Sequence, residues 1–325
     1  MKSIIGVLVA TAIIAAAGNG GTNGGTNGGT DGGTNGGTNG GTNGGTKGGT
    51  KGGTNYGTNG GTNGGTNGGT NFVRVDGDAQ KVGNGVARAY IVVDEKNVPV
   101  EVGVALSEGV MENLPKPMPM DHSKPMTTEH LDMHQWILAL PAKNPTPYQF
   151  VQFGWNPQGH EPPGVWDVPH FDFHFWTASL ALRNSIVPSD PKYAEKAARY
   201  PADSLRPQFY LDAATAAKTT AAAMTVPEMG LHWFDVRTPE VQKIAGNPQG
   251  YRPFTTTFIY GTWDGEFVFA EPMITREYLM TKGDTTIQVP SARFAAAGYY
   301  PASYRIRWDA STREYLVSLT EFSRR

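Results

Sequence analysis

The chain contains no cysteine, which excludes a disulfide framework, a thiolate metal site, a cysteine nucleophile and a lipidated-cysteine anchor. It has no surplus of either charge: 27 Lys and Arg face 29 Asp and Glu, for a net charge of −2. Nucleic acid, which wants a basic surface, is therefore excluded as a partner. No G-x-S-x-G elbow and no Walker motif occurs. No apolar run reaches the roughly 20 residues that span a bilayer. Hydrophobic residues make up only 38% of the chain, because one long glycine-rich tract dilutes them. The remainder, roughly 250 residues, is long enough to bury a core.

What is present begins with Met1–Ala17, where Lys2 precedes a mostly apolar run, Ile4–Ile14, and three alanines. This reads as a secretory signal over residues 1–17, cleaved after Ala17 and leaving no membrane span. The expected location is secreted, periplasmic or cell-surface. Residues 18–71 hold thirteen copies of N-G-G-T, with Asp31, Lys47 and Lys51 replacing Asn and Tyr56 replacing Gly. Such a tract has almost no apolar surface to offset its ordering entropy, so a disordered tether is expected.

Residues 72–325 are expected to form a single β-rich domain. Val86–Asp94 and Val98–Leu106 alternate and are rich in β-branched residues, which predicts an antiparallel hairpin. Pro99 places the second strand at an edge or at its own first residue. Further strands are expected at Gln135–Leu140, Phe150–Trp155 and Met229–Val236. Two more hairpins are expected, one about Thr262–Gly265 and one about Ala310–Thr312. Short helices are expected near Ser179–Ile186 and Pro191–Tyr200, while Asp212–Met224 suits helix by its Ala and strand by its Thr. The fold class is mainly β (α+β), with antiparallel sheets or a barrel-like domain and a few short helices. The segment 111–134 holds five of the ten Met and three of the seven His. Thioether with imidazole suits copper, and adaptable loop packing is the alternative.

The densest chemistry lies in Gly159–Trp176, G-H-E-P-P-G-V-W-D-V-P-H-F-D-F-H-F-W. Strand alternation puts His170, Asp172 and His174 on one face, and Phe171, Phe173 and Phe175 on the other. Strand residues four apart lie about 13 Å from each other, so His170 and His174 cannot share one ion on a regular strand. Asp172 can join either. His160 and Glu161 can fold back over the strand. His232 on a neighbouring strand, with His160, Glu161 or Glu271, can complete a shell. The candidate metal ligands are His160, His170, Asp172, His174 and His232, and the cofactor they suit is a divalent metal, zinc or copper. A hydrogen-bonded polar network is the alternative use of the same groups. Trp155, Trp166, Trp176, Trp233 and Trp263 surround these motifs, either as core or as the lining of a small-molecule cleft.

Four segments together carry a family resemblance: Gly154–Pro163, Pro169–Trp176, Met229–Asp235 and Phe258–Ile274. They resemble an uncharacterised bacterial domain family whose best-known representative is an exported protein under extracytoplasmic-stress sigma-factor control. The resemblance covers roughly residues 82–281 and implies a mostly antiparallel β domain, a homo-oligomer and no established reaction. A fainter likeness is to the α-carbonic anhydrase zinc strand, H-x-H with a third His on the neighbouring strand. Here Asp172 would replace one imidazole. Three functions follow as expectations: a cell-envelope binding or assembly module with a His/Asp site, a zinc-type hydrolase or hydratase, and a purely structural homo-oligomer.

Overall fold

The computed structural model describes residues 71–117 and 133–325. The expected signal segment and nearly all of the N-G-G-T tract lie outside the described residues, as does most of the Met/His-rich segment, including Met118, Met120, His122, Met126 and His130. In chain order the strands begin with β1 (Val73–Asp76), β2 (Gln80–Val82), β3 (Gly85–Val93), β4 (Pro99–Ser107), β5 (His134–Ala139) and β6 (Phe150–Asn156). They continue with β7 (His170–Trp176), β8 (Tyr210–Asp212), β9 (Thr225–Val226), β10 (Gly230–Asp235), β11 (Thr256–Trp263) and β12 (Glu266–Thr275). The last are β13 (Asp284–Gln288), β14 (Tyr299–Tyr300), β15 (Ser303–Asp309), β16 (Glu314–Thr320) and β17 (Ser323–Arg324). Five short helices join them: α1 (Leu180–Asn184), α2 (Tyr193–Ala197), α3 (Ala213–Ala217), α4 (Ala221–Met224) and α5 (Arg276–Met280).

Two large open antiparallel sheets and a two-stranded β14–β17 pair result, and among the described residues none closes into a barrel. The first runs β1-β3-β4-β16-β15-β13, with β2 on β3. The second runs β5-β6-β7-β12-β11-β10-β8, with β9 on β10. The β3–β4 hairpin forms as expected, and Pro99 is the first residue of a strand that is interior rather than at an edge. Alternation then sorts the side chains. Ala89, Ile91, Val104, Val317 and Leu319 from the first sheet share one buried cluster with Val151, Phe153, Phe171, Phe173, Phe175 and Trp233 from the second. Phe171, Phe173 and Phe175 are each fully buried, worth about 1.5–3 kcal/mol apiece. This cluster holds the two sheets together.

The other face of the second sheet is covered by a third layer. The α3–α4 segment and the loop before β7 pack on it through two further apolar clusters, one around Trp176, Met229 and Phe269, the other around Trp166, Phe234 and Ile259. The Ala/Thr-rich stretch resolves into two helices because its polar residues act as caps. Asp212 accepts from the Thr215 backbone N–H and Thr220 from that of Ala223. Lys218, in left-handed backbone at φ 51°, breaks the run between them. The layer is thin and alanine-rich, which leaves space beneath it.

Candidate metal centre in a covered cavity

The site lies between that third layer and the polar face of the second sheet. Strand β7 supplies His170, Asp172 and His174, all buried. The register sets β6 on one side of it, with Gly154 opposite Asp172 and Asn156 opposite His170. On the other side β12 places Met273 opposite Asp172. The same ladder brings Glu271 level with His174. The loop Pro157–Pro169 returns over β7 and delivers His160 beside His170, ring centroids 4.7 Å apart.

The five expected ligands do not converge on one point. They divide, with Glu271, into two groups of donors: His160, His170 and Asp172, then His174, His232 and Glu271. In the first, His170 Nε2 lies 3.1 Å from Asp172 Oδ1, and His160 Nε2 lies 3.7 Å from Asp172 Oδ2. In the second, His174 Nε2 lies 3.3 Å from Glu271 Oε1, and His232 Nε2 lies 3.7 Å from Glu271 Oε2. Donors about 2.05 Å from a tetrahedral ion sit about 3.3 Å apart. The donors of each group lie within 4.8 Å of one another, close enough that either group could hold a metal ion. Asp172 and His174 are two residues apart on one strand, so the groups are separated by about 6–7 Å along it.

Hydrogen bonding fixes which atoms face inward. His170 Nδ1 is 2.7 Å from the Val168 carbonyl and His160 Nδ1 is 2.8 Å from the Glu161 carbonyl. A carbonyl only accepts, so each Nδ1 donates and each Nε2 of a neutral ring presents a lone pair to Asp172. Asn156 Nδ2 donates to Asp172 Oδ2 at 2.7 Å. His170 Nε2 and Asp172 Oδ1, though 3.1 Å apart, make no hydrogen bond, and both are buried without a partner. A cation bound by both atoms would supply the partner that each lacks. A metal-bound histidine that donates its other nitrogen to a backbone carbonyl has this arrangement. In the second group both nitrogens of His174 and Glu271 Oε2 are likewise buried without hydrogen bonds.

Electrostatics agree with the geometry. Burial lowers the His174 imidazole to about 3, with His232 adding to the fall. Burial also lowers His232, to about 4, with His160 adding, and burial and the His170 charge lower His160. These rings are neutral at pH 7, the form that binds metal. Burial pushes Glu271 well up, and Asp172 pushes it further. Burial works to raise Asp172 too, but its interactions with the neighbouring imidazoles of His170, His160 and His174 outweigh it and hold this carboxyl below the ordinary range.

His232 is not on the strand next to β7, as its expected place in a shared shell requires; β12 and β11 stand between them. His232 reaches Glu271 across Gly261, its partner on β11. A side chain at 261 would collide with the Phe269 ring, whose nearest atom would be 2.0 Å from the added carbon. That ring packs against both His174 and His232, at 4.8 and 5.4 Å. Of the shell completions expected for His232, Glu271 is the one formed. Glu161 contributes its carbonyl to His160 rather than a carboxylate to the group. Asn156 was missed, although the alternation Gln152, Gly154, Asn156 already places it on the same face. His134 stands apart, 2.9 Å from the Lys116 carbonyl. All five tryptophans near the motifs are buried, and Trp166 lines the cavity.

That cavity, about 220 Å³, is bordered by His160, Asp172, His174, His232 and Glu271. Three donors per group leave the fourth position of a tetrahedral ion to water or a ligand. The fold and site define an antiparallel two-sheet protein with paired His₂-carboxylate groups under a helical cover. No family model, curated protein or solved structure matches the chain.

Proposed function

We propose that the chain is an exported cell-envelope binding protein whose covered cavity holds divalent metal, zinc first, at His160/His170/Asp172 and at His174/His232/Glu271. One observation carries the reading: Nε2 of His170 and Oδ1 of Asp172 lie 3.1 Å apart, both buried and both without a hydrogen-bond partner. Two imidazoles and one carboxylate suit zinc better than Cu(I), which prefers sulfur donors. Export rests on Met1–Ala17 and on the family resemblance, and self-association on the resemblance alone.

The test is equilibrium dialysis of the full chain against zinc, followed by elemental analysis. Two zinc ions per chain are expected, falling to one in His170→Ala and one in His232→Ala. A wild-type chain that retains no metal refutes the proposal and leaves a structural polar network. Light scattering on the same samples tests self-association. The hydrolase or hydratase reading draws on the open fourth position, where bound water would ionise near pH 7. Ester hydrolysis or CO₂ hydration above the zinc-free background would favour it.

A further inference from the structure

The cavity above the two groups has a size and a polarity that restrict its occupant. We infer that it binds a small monocarboxylate with an apolar body, one aromatic ring or a short chain of about ten non-hydrogen atoms, whose carboxylate takes the open coordination positions. This rests on the metal reading above.

Size comes first. The cavity is about 220 Å³. An apolar cavity of about 150 Å³ accepts benzene, whereas drug-sized ligands fill about 300 Å³ or more. A ring with a few added atoms fits; a nucleotide or an oligosaccharide does not.

Polarity comes second. The wall is apolar, built from Trp166, Met224, Val226, Met229, Phe234 and Ile259. Thioether side chains deform at little cost and suit a ligand body of variable shape. Every charged or imidazole donor lies on the sheet face, apart from His160 and Glu161 in the loop above it. A ligand seated here is therefore apolar over most of its surface and polar at one end.

The sign of that polar end follows from the charges. Among the described residues, no Lys or Arg lines the cavity. In the metal-free protein a carboxylate would find no cation to pair with: the side chains with formal charge at the cavity are the acids Asp172, Glu161 and Glu271, beside neutral imidazoles. Two bound divalent ions reverse the field and offer vacant positions. Carboxylate binding must then depend on metal, while an amine of the same shape must not be favoured by it. Ala223 marks the mouth: it belongs to α4, borders the cavity and is exposed to solvent.

The experiment uses the full chain, zinc-loaded or chelator-treated, in calorimetric titrations with benzoate, hexanoate and benzylamine. Benzoate and hexanoate are expected to bind the zinc-loaded chain at least tenfold more tightly than the chelated one, and benzylamine to show no such gain. Ala223→Trp, which plugs the mouth from a solvent-exposed position, should keep both zinc ions and weaken benzoate at least tenfold. If two zinc ions are retained but neither carboxylate responds to metal, or Ala223→Trp leaves benzoate affinity unchanged, the ligand inference falls and the metal reading stands. If no zinc is retained, the metal reading falls and the ligand inference with it.

Discussion

At the residue scale, Asp172 is the pivot. Asn156 fixes one of its oxygens at 2.7 Å, and the other faces His170 Nε2. Removing the amide donor should loosen the carboxylate without deleting a ligand. Asn156→Leu is expected to keep the fold and weaken one zinc by 10–100-fold, the usual cost of losing a partner behind a ligand. Competition against a chelating dye reads this directly, and equal affinity in the variant would show that Asn156 does not orient Asp172.

The depressed histidines also make a pH prediction for the metal-free protein. His174 titrates at about 3 and His232 at about 4 in the fold, against about 6.5 unfolded. Between pH 4 and 6.5 the unfolded chain binds protons that these two rings refuse, so stability rises with pH there. Glu271, raised in the fold, works the other way above its unfolded value. His160 is lowered as well, so the lowered rings outnumber the one raised carboxyl and leave a net loss on acidification from pH 6.5 towards 4.5. Urea midpoints should fall across that window by amounts of order 1 kcal/mol per pH unit. A flat profile would mean the rings are not neutral and buried as described.

At the element scale, β11 controls the second group through an absent side chain. Gly261 leaves room for the Phe269 ring, which backs both His174 and His232. In Gly261→Ala the new methyl would overlap that ring. Overpacking of this kind costs about 1–3 kcal/mol. The displaced ring should also disturb His174 and His232 while leaving His160, His170 and Asp172 alone. The expected result is a lower melting temperature and one zinc per chain instead of two. Retention of both ions at wild-type affinity would show that the ring does not set the second group. Strand β7 has a matching division of labour: its Phe face belongs to the inter-sheet cluster and its His/Asp face to the site. Phe173→Ala should cost about 3–5 kcal/mol through the cavity it leaves, measured by denaturant unfolding.

At the scale of the whole molecule, the site is assembled from three strands, β7, β10 and β12, and one loop. Metal binding should therefore stabilise the fold as a unit. Zinc at 100 times its dissociation constant contributes about 2.7 kcal/mol per site. A chelator should lower the melting temperature by several degrees, and zinc should restore it. The covering layer is held to the sheet largely by apolar contacts around Met229, Trp166 and Phe234.

Much of this was legible in the residues themselves. Alternation in His170–Trp176 assigned two faces, and the structure uses both, one as core and one as site. The β3–β4 hairpin, the turn at Asp264–Gly265 and the β15–β16 hairpin follow from short-range patterns that depend on neighbouring residues alone. Asp212–Met224 was ambiguous because its caps act only once the helices have partners to pack on. The short strands β2, β8, β9, β14 and β17 carry too few residues to show a period. Above all, the sequence by itself determined which donors share a face of β7, since strand geometry makes that a local property. Only the tertiary structure decided that they serve two groups rather than one. That outcome depends on the order β7-β12-β11-β10, on the gap at Gly261 and on the return of the His160 loop, and these are contacts between segments up to about a hundred residues apart, which no local period records.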